Sequence, residues 1–114
     1  MLNELRGFDP NKLFNVIKDS WHQGENGWNS DFLLNIDTSY ISNIIISGLG
    51  GSAISGDLLK NFLGPELNKP LIINRAYTLP EFADEHTRVL VSSYSGNTEE
   101  TISALKTALI KKCQ

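Results

Sequence analysis

Cysteine is nearly absent from this 114-residue chain, where Cys113 stands alone. No internal disulfide can form. Histidine is almost as scarce: His22 and His86 are the only two, and with one cysteine they leave no zinc-type cluster. A reduced, metal-free chain is expected. Long apolar runs are missing as well. Ile44-Ile45-Ile46 is the longest aliphatic run of the first half, far short of the ~18–20 residues a membrane span needs. Basic runs are equally lacking. Lys plus Arg number 10 against 13 Asp plus Glu, a net charge of −3, so nothing could track a phosphodiester backbone, and neither nucleic acid nor membrane is expected as a partner. The start, Met1-Leu2-Asn3-Glu4-Leu5-Arg6, is broken by charge and has no small-residue cleavage site after an apolar stretch. A cytoplasmic location is expected. What is present, 40% hydrophobic and 9% aromatic content, suffices for one small globular domain and not for two.

Asp9-Pro10 is a helix-start signal, since aspartate accepts bonds from orphan N–H groups and proline has the φ of a first helical position. Leu13, Phe14, Ile17 and Trp21 recur at spacings of three and four, predicting one helical face that packs against the main core, with Gly24 to Gly27 as the stop. Phe32, Leu33 and Ile36 suggest a further short helix or turn. From residue 43 the pattern changes. Ile44-Ile45-Ile46-Ser47 is a continuous β-branched run ending in Gly48-Leu49-Gly50-Gly51, the signature of a strand buried on both faces. Ile54, Leu58, Leu59, Phe62 and Leu63 then follow helical spacing up to Gly64-Pro65. Leu71-Ile72-Ile73-Asn74 predicts a second strand and Arg88-Val89-Leu90-Val91-Ser92 a third. The link from Arg75 to Thr87, with Pro80 inside it, holds at most a short helix. Finally Asn97, with Glu100 three residues on, has capping-box spacing, and Ile102, Leu105 and Leu109 form the stripe of a last helix. Buried strands alternating with helices predict an α/β fold with a parallel sheet and flanking helices.

Two loops have the chemistry of an anion site. Gly48-Leu49-Gly50-Gly51-Ser52 joins the first strand to its helix, where glycine lets the backbone approach a ligand and the helix dipole favours negative charge. A glycine-rich turn can equally serve helix-on-strand packing alone. No lysine occurs between Gly48 and Lys60, so the loop lacks the Gly-Lys-Ser/Thr end of a triphosphate-binding loop. Gly48, Gly50 and Ala53 satisfy the G-x-G-x-x-A variant of the dinucleotide fingerprint, but its acidic partner is missing, because the second strand ends in Asn74-Arg75. The second loop, Ser93-Tyr94-Ser95-Gly96-Asn97-Thr98, sets hydroxyl groups and a glycine before a helix start, the donors a phosphate monoester needs without a basic side chain. As a bare turn, Ser95 or Asn97 would simply cap that helix. If the strand order is flavodoxin-like, 2-1-3, both loops flank one crevice.

Gly48-Leu49-Gly50-Gly51-Ser52-Ala53-Ile54 with Gly56-Asp57, followed by Ser93-Tyr94-Ser95-Gly96-Asn97-Thr98-Glu99-Glu100-Thr101, resembles the sugar isomerase (SIS) domain, in particular that of the bifunctional phosphoglucose/phosphomannose isomerases. The similarity runs from the first strand to the carboxyl end. It implies a flavodoxin-like SIS domain that interconverts glucose 6-phosphate or mannose 6-phosphate with fructose 6-phosphate, without metal or organic cofactor. It further implies a homodimer, and substrate-phosphate contacts from Gly51, Ser52, Ser93, Ser95 and Thr98. The proton transfer demands a carboxylate base and an acid for ring opening. In the family a glutamate and a histidine fill these roles, both later in the chain than residue 114, so no catalytic residue is expected here.

Glu99 and Glu100 fit a dipole-complement role, and His86 precedes the third strand, at the wrong end for a site on the carboxyl edge. Arg75 is left outside the site, Cys113 is expected to face solvent, and neither Ser52 nor Ser95 is framed as G-x-S-x-G. Residues 1–42 read as a helical lead-in and 43–114 as the first part of the SIS domain, incomplete at its carboxyl end, because only three strands can be counted. The alternatives are a noncatalytic sugar-phosphate sensor, against which the lack of a basic helix-turn-helix segment before the first strand counts, and a dinucleotide-binding domain.

Overall fold

A computed structural model describes residues 8, 9, 11–30 and 37–114. The chain divides into two compact units, Met1–Ile36 and Asp37–Gln114.

In the first unit, α1 spans Leu13–Asp19 and α2 spans Trp21–Trp28. The Asp9 carboxylate accepts from the Leu13 and Phe14 N–H groups, both at 2.7 Å, so aspartate serves the helix start as its chemistry suggests. Pro10 and the Phe32, Leu33 and Ile36 segment lie outside the described residues. Two expectations are corrected. The helix breaks at Ser20, whose hydroxyl bonds back to the Ile17 carbonyl at 2.8 Å, and Gly24 and Gly27 lie within α2 instead of ending it. An interior glycine costs only about 1 kcal/mol against alanine and is no obligatory stop. Nor is the apolar stripe buried: neither helix has a buried residue.

The second unit is built on a parallel sheet. The strands are β1 (Asn43–Ser47), β2 (Leu71–Asn74) and β3 (Thr87–Val91), in the order β2-β1-β3. Ile45 stands between Ile72 and Val89, and Ile46 between Ile73 and Leu90. β1 is central, so its side chains meet protein on both faces, and Ile45, Ile46 and Ser47 are buried. Side chains alternate between faces along a strand, which makes two separate layers. On the Ile46 and Ile73 side lies α3 (Gly51–Leu63), close enough that a Cβ on Gly56 would stand 2.9 Å from Ile73 Cδ1 and 3.2 Å from Ile46 Cγ2. On the Ile45 side, α4 (Glu99–Ile110) contributes Ala104 and Ala108 to a core with Leu79 and Ala83, against which Ile72, Val89 and Cys113 pack. Leu79 and Ala83 come from the non-helical link between β2 and β3.

The helices lie where the spacing placed them, but the faces they bury differ from the expected stripes. α3 buries Ala53 and Gly56 and exposes Ile54, Leu58 and Phe62; α4 buries Thr101, Ala104 and Ala108 and exposes Leu105 and Leu109. Branched isoleucines already fill the space above the sheet, so the line of closest approach on each helix takes small side chains. The end of α4 is a Schellman motif: Cys113 N–H bonds to Ala108 O at 2.9 Å and Lys112 N–H to Leu109 O at 3.2 Å, with Lys112 at φ 56°. Cys113 is thereby turned toward the core and is half-buried, not the solvent-facing thiol expected, and burial raises its pKa. No helix among the described residues is long and apolar enough to cross a membrane.

Candidate functional site

Because β1 and β3 are neighbours and parallel, the loops after them leave the sheet side by side. Gly48 lets them touch: a Cβ there would lie 2.8 Å from the Ser92 carbonyl oxygen and 3.3 Å from Ser52 Cβ. Ser92 N–H is bonded to Ser47 O at 2.8 Å and Gly48 N–H to Asn74 O at 3.1 Å, so neither loop can swing away without breaking the sheet edge. Gly50 precedes α3 at φ 53°, ψ −129°, a conformation that side-chain-bearing residues rarely adopt. It offers no side-chain cap; Ser52 N–H donates to Leu49 O at 3.1 Å and Ala53 N–H to Gly50 O at 3.2 Å, so the Gly51 N–H is the first-turn donor left at the positive end of the helix. Gly51 differs from both. Its φ is ordinary, and a Cβ there would meet no protein atom within 4 Å.

Between the loops is an open cavity of about 660 Å³. Gly51, Ser52, Ser93, Ser95 and Thr98, the five residues named from sequence, all line it, with Leu49, Ser55, Ser92 and Tyr94. Ser55 was not legible as a site residue; it reaches the cavity one helical turn after Ser52, its hydroxyl bonded to Ser52 O at 2.7 Å. In the second loop the hydroxyls converge on Thr98. Its Oγ1 is 3.2 Å from Ser93 Oγ and 3.4 Å from Ser95 Oγ. Ser93 Oγ accepts from Gly96 N–H at 3.1 Å and Ser95 Oγ from Asn97 N–H at 3.3 Å, while Gly96 makes the turn at φ 71°.

That network displaces the expected cap. The residue before α4 is Thr98, not Asn97, and its hydroxyl bonds to no helix N–H because it is drawn to the two serines. Both helices facing the cavity therefore start without a side-chain cap. The lining carries seven hydroxyl side chains and no cation, a donor set that can serve an anion beside helix starts. Glu99 and Glu100 occupy the first turn of α4, and the Glu100 carboxylate, with Glu99 behind it, pushes the Tyr77 phenol pKa up.

The remaining candidates lie elsewhere. Arg75 is paired with Asp57 of α3. His86 is exposed at the amino end of β3, its Nδ1 3.1 Å from Tyr40 O. Asn74, where a dinucleotide site would carry an acid for the ribose, is buried and donates to Ser47 Oγ and Ala76 O, both at 3.2 Å. The buried Ala53 fits the packing role that its place in the fingerprint also has.

Fold and cavity together define an α/β domain with a hydroxyl-lined crevice at the carboxyl edge of a parallel sheet, the usual ligand position in that class. Over about two thirds of its length the chain is homologous to proteins named bifunctional phosphoglucose/phosphomannose isomerase. One from Caldicellulosiruptor bescii is 49% identical over 78 residues, 68% of this chain and 23% of that protein. One from Thermoplasma acidophilum is 43% identical over 74 residues, 65% of this chain and 23% of that protein. One from Aquifex aeolicus is 34% identical over 99 residues, 86% of this chain and 29% of that protein. The match thus spans about a quarter of the length of these relatives. No protein-family model matches the chain, and no solved structure matches it.

Proposed function

We propose that this chain is the phosphate-binding portion of a cytoplasmic aldose–ketose isomerase that interconverts glucose 6-phosphate or mannose 6-phosphate with fructose 6-phosphate. Residues 43–114 form the first part of its sugar isomerase domain and residues 1–42 its helical lead-in. Gly51, Ser52, Ser93, Ser95 and Thr98 hold the substrate phosphate through N–H and hydroxyl donors. The longer protein works as a homodimer without organic cofactor. Its carboxylate base and ring-opening acid come from residues outside this segment, because the cavity lining contains no carboxylate and no histidine.

One observation supports this reading over a packing turn. Gly48 is required by the close approach of Ser92, and Gly50 by its positive φ, but Gly51 satisfies no demand of the protein itself. A glycine that faces open space beside an uncapped helix start leaves room for a ligand's oxygen atoms. The relatives' names supply the phosphosugar as that ligand.

Titration of the chain with fructose 6-phosphate, followed by backbone amide shifts, tests the proposal. Shifts confined to Gly51, Ser52 and residues 93–98 are expected, with no isomerisation by this segment alone. Unmoved amides at those positions would sink the phosphate assignment, and turnover by these residues alone would overturn the division of roles.

A further inference from the structure

The hydroxyls of the cavity are of two kinds, told apart by where their hydrogens go. Ser93 Oγ already accepts from Gly96 N–H and Ser95 Oγ from Asn97 N–H, so each keeps its own hydrogen to give. These two serines and Thr98 hold three hydroxyl hydrogens between them, and their two mutual contacts use at most two. At least one is therefore left for a ligand. Ser55 is the opposite case. Its Oγ stands 2.7 Å from Ser52 O, and a carbonyl oxygen can only accept, so Ser55 has committed its one hydrogen to the backbone. The side chain is exposed and lines the cavity. What it offers there is lone pairs alone.

A phosphate monoester is the wrong partner for such an oxygen. With a second pKa of about 6 it is largely a dianion near neutral pH, carries no hydrogen, and would meet Ser55 as acceptor against acceptor. Turning the hydroxyl round to donate would give up the bond to Ser52 O. An alcohol is the right partner, because its O–H can donate to Ser55 while the phosphate stays on the donors of the two loops. Ser52 and Ser55 lie three residues apart in α3, which sets their Cβ atoms about 5–6 Å apart on one face. Ser55 thus stands past the phosphate group, beside the carbons next to the ester.

We infer that Ser55 is a specificity-determining residue: its oxygen accepts from a ligand hydroxyl close to the phosphate, and makes the cavity a site for a phosphorylated polyol in preference to a bare phosphate ester. The inference rests on the reading of Gly51, Ser52, Ser93, Ser95 and Thr98 as phosphate-binding residues, and adds a chemical demand that those donors do not make. In a hexose 6-phosphate such a hydroxyl is remote from the carbonyl end where the proton moves. Ser55 therefore acts on binding and not on the chemical step.

The test titrates the 114-residue chain and its Ser55→Ala variant with fructose 6-phosphate and with methyl phosphate, which has the same ester anion but no hydroxyl, and follows backbone amide shifts. The parent should bind fructose 6-phosphate more tightly than methyl phosphate. Ser55→Ala should weaken fructose 6-phosphate roughly three- to ten-fold, the worth of one neutral hydrogen bond, and leave methyl phosphate at parental affinity. The variant should melt at or above the parent's temperature, since alanine is the better helix former. An equal loss for both ligands would make Ser55 a phosphate contact and overturn the inference. Parental affinity for both would overturn it as well, and either result leaves the phosphate reading standing. A parent chain that binds neither ligand would instead bring down the phosphate reading, and the inference with it.

Discussion

Gly48→Ala separates the architecture of the crevice from its chemistry. The new Cβ would sit 2.8 Å from Ser92 O, whereas carbon–oxygen contacts settle at about 3.3–3.6 Å, so the gap must open by about half an ångström. Neither side yields easily: Ser92 is tied to Ser47 O and Gly48 to Asn74 O. Overpacking against fixed backbone costs about 1–3 kcal/mol, and at about 4–8 °C per kcal/mol for a domain of this size the melting temperature should fall by roughly 4–24 °C. The matched control is Gly51→Ala, where a Cβ meets nothing and lies in the first turn of α3. That change should hold or raise stability by about 0.4–1 kcal/mol. It should nevertheless weaken fructose 6-phosphate binding by about ten-fold or more, because the new Cβ occupies the room the phosphate oxygens need and displaces hydrogen bonds to a charged group that contribute about 1.5–3 kcal/mol each. Calorimetric melts and amide-shift titrations of both variants decide the matter. A Gly48→Ala melt equal to the parent's would refute the close-approach reasoning, and parental affinity in Gly51→Ala would refute the ligand reading of that glycine.

Two further outcomes follow from the end of α4. Lys112→Gly relieves a left-handed conformation that costs a side-chain-bearing residue about 1–2 kcal/mol, partly offset by the greater freedom of unfolded glycine; a melting temperature a few degrees higher is expected in a thermal scan, and a lower one would contradict the Schellman assignment. Burial lifts the Cys113 pKa above its ordinary value of 9.0, so less thiolate exists at pH 8 and an alkylating reagent should modify it more slowly than an unstructured cysteine peptide. Because the folded pKa is the higher one, this group's contribution to stability is present below the ordinary value and declines as pH rises through the folded one. Equal alkylation rates for protein and peptide would refute the burial.

Strands were legible because β1, β2 and β3 are short β-branched runs bounded by glycine, proline or polar residues, and their length decides against a buried helix, which periodicity alone would not. The flanking helices were legible for a related reason, but their buried faces were not. Periodicity reports where large apolar residues recur, so Ile54, Leu58 and Phe62 stood out in α3. The distance between helix and sheet is set by what lies beneath, and the isoleucines of β1 and β2 demand Ala53 and Gly56 at the contact. Steric demand of a partner strand is a non-local quantity that one segment's spacing does not contain. The same limit hid Leu79 and Ala83, core residues in a link without helix or strand.

For the site, residue types were readable and their division of labour was not. The three glycines of Gly48-Leu49-Gly50-Gly51 look alike as letters, yet one answers to a neighbouring strand, one to a backbone angle and one to empty space. Only the first depends on β3 lying beside β1, a pairing between segments some forty residues apart that local pattern leaves open. Asn97 failed as a cap for an equally specific reason. The capping-box spacing was correct, but Ser93 and Ser95 bind the Gly96 and Asn97 N–H groups and draw in the Thr98 hydroxyl, which moves the helix start one residue on. A loop that caps itself in this way leaves the helix N–H groups of Glu99 and Glu100 without a side-chain acceptor. A bare turn would have used that acceptor, so the missing cap, like the room beside Gly51, favours a crevice shaped for an anionic group over one shaped only to connect strand to helix.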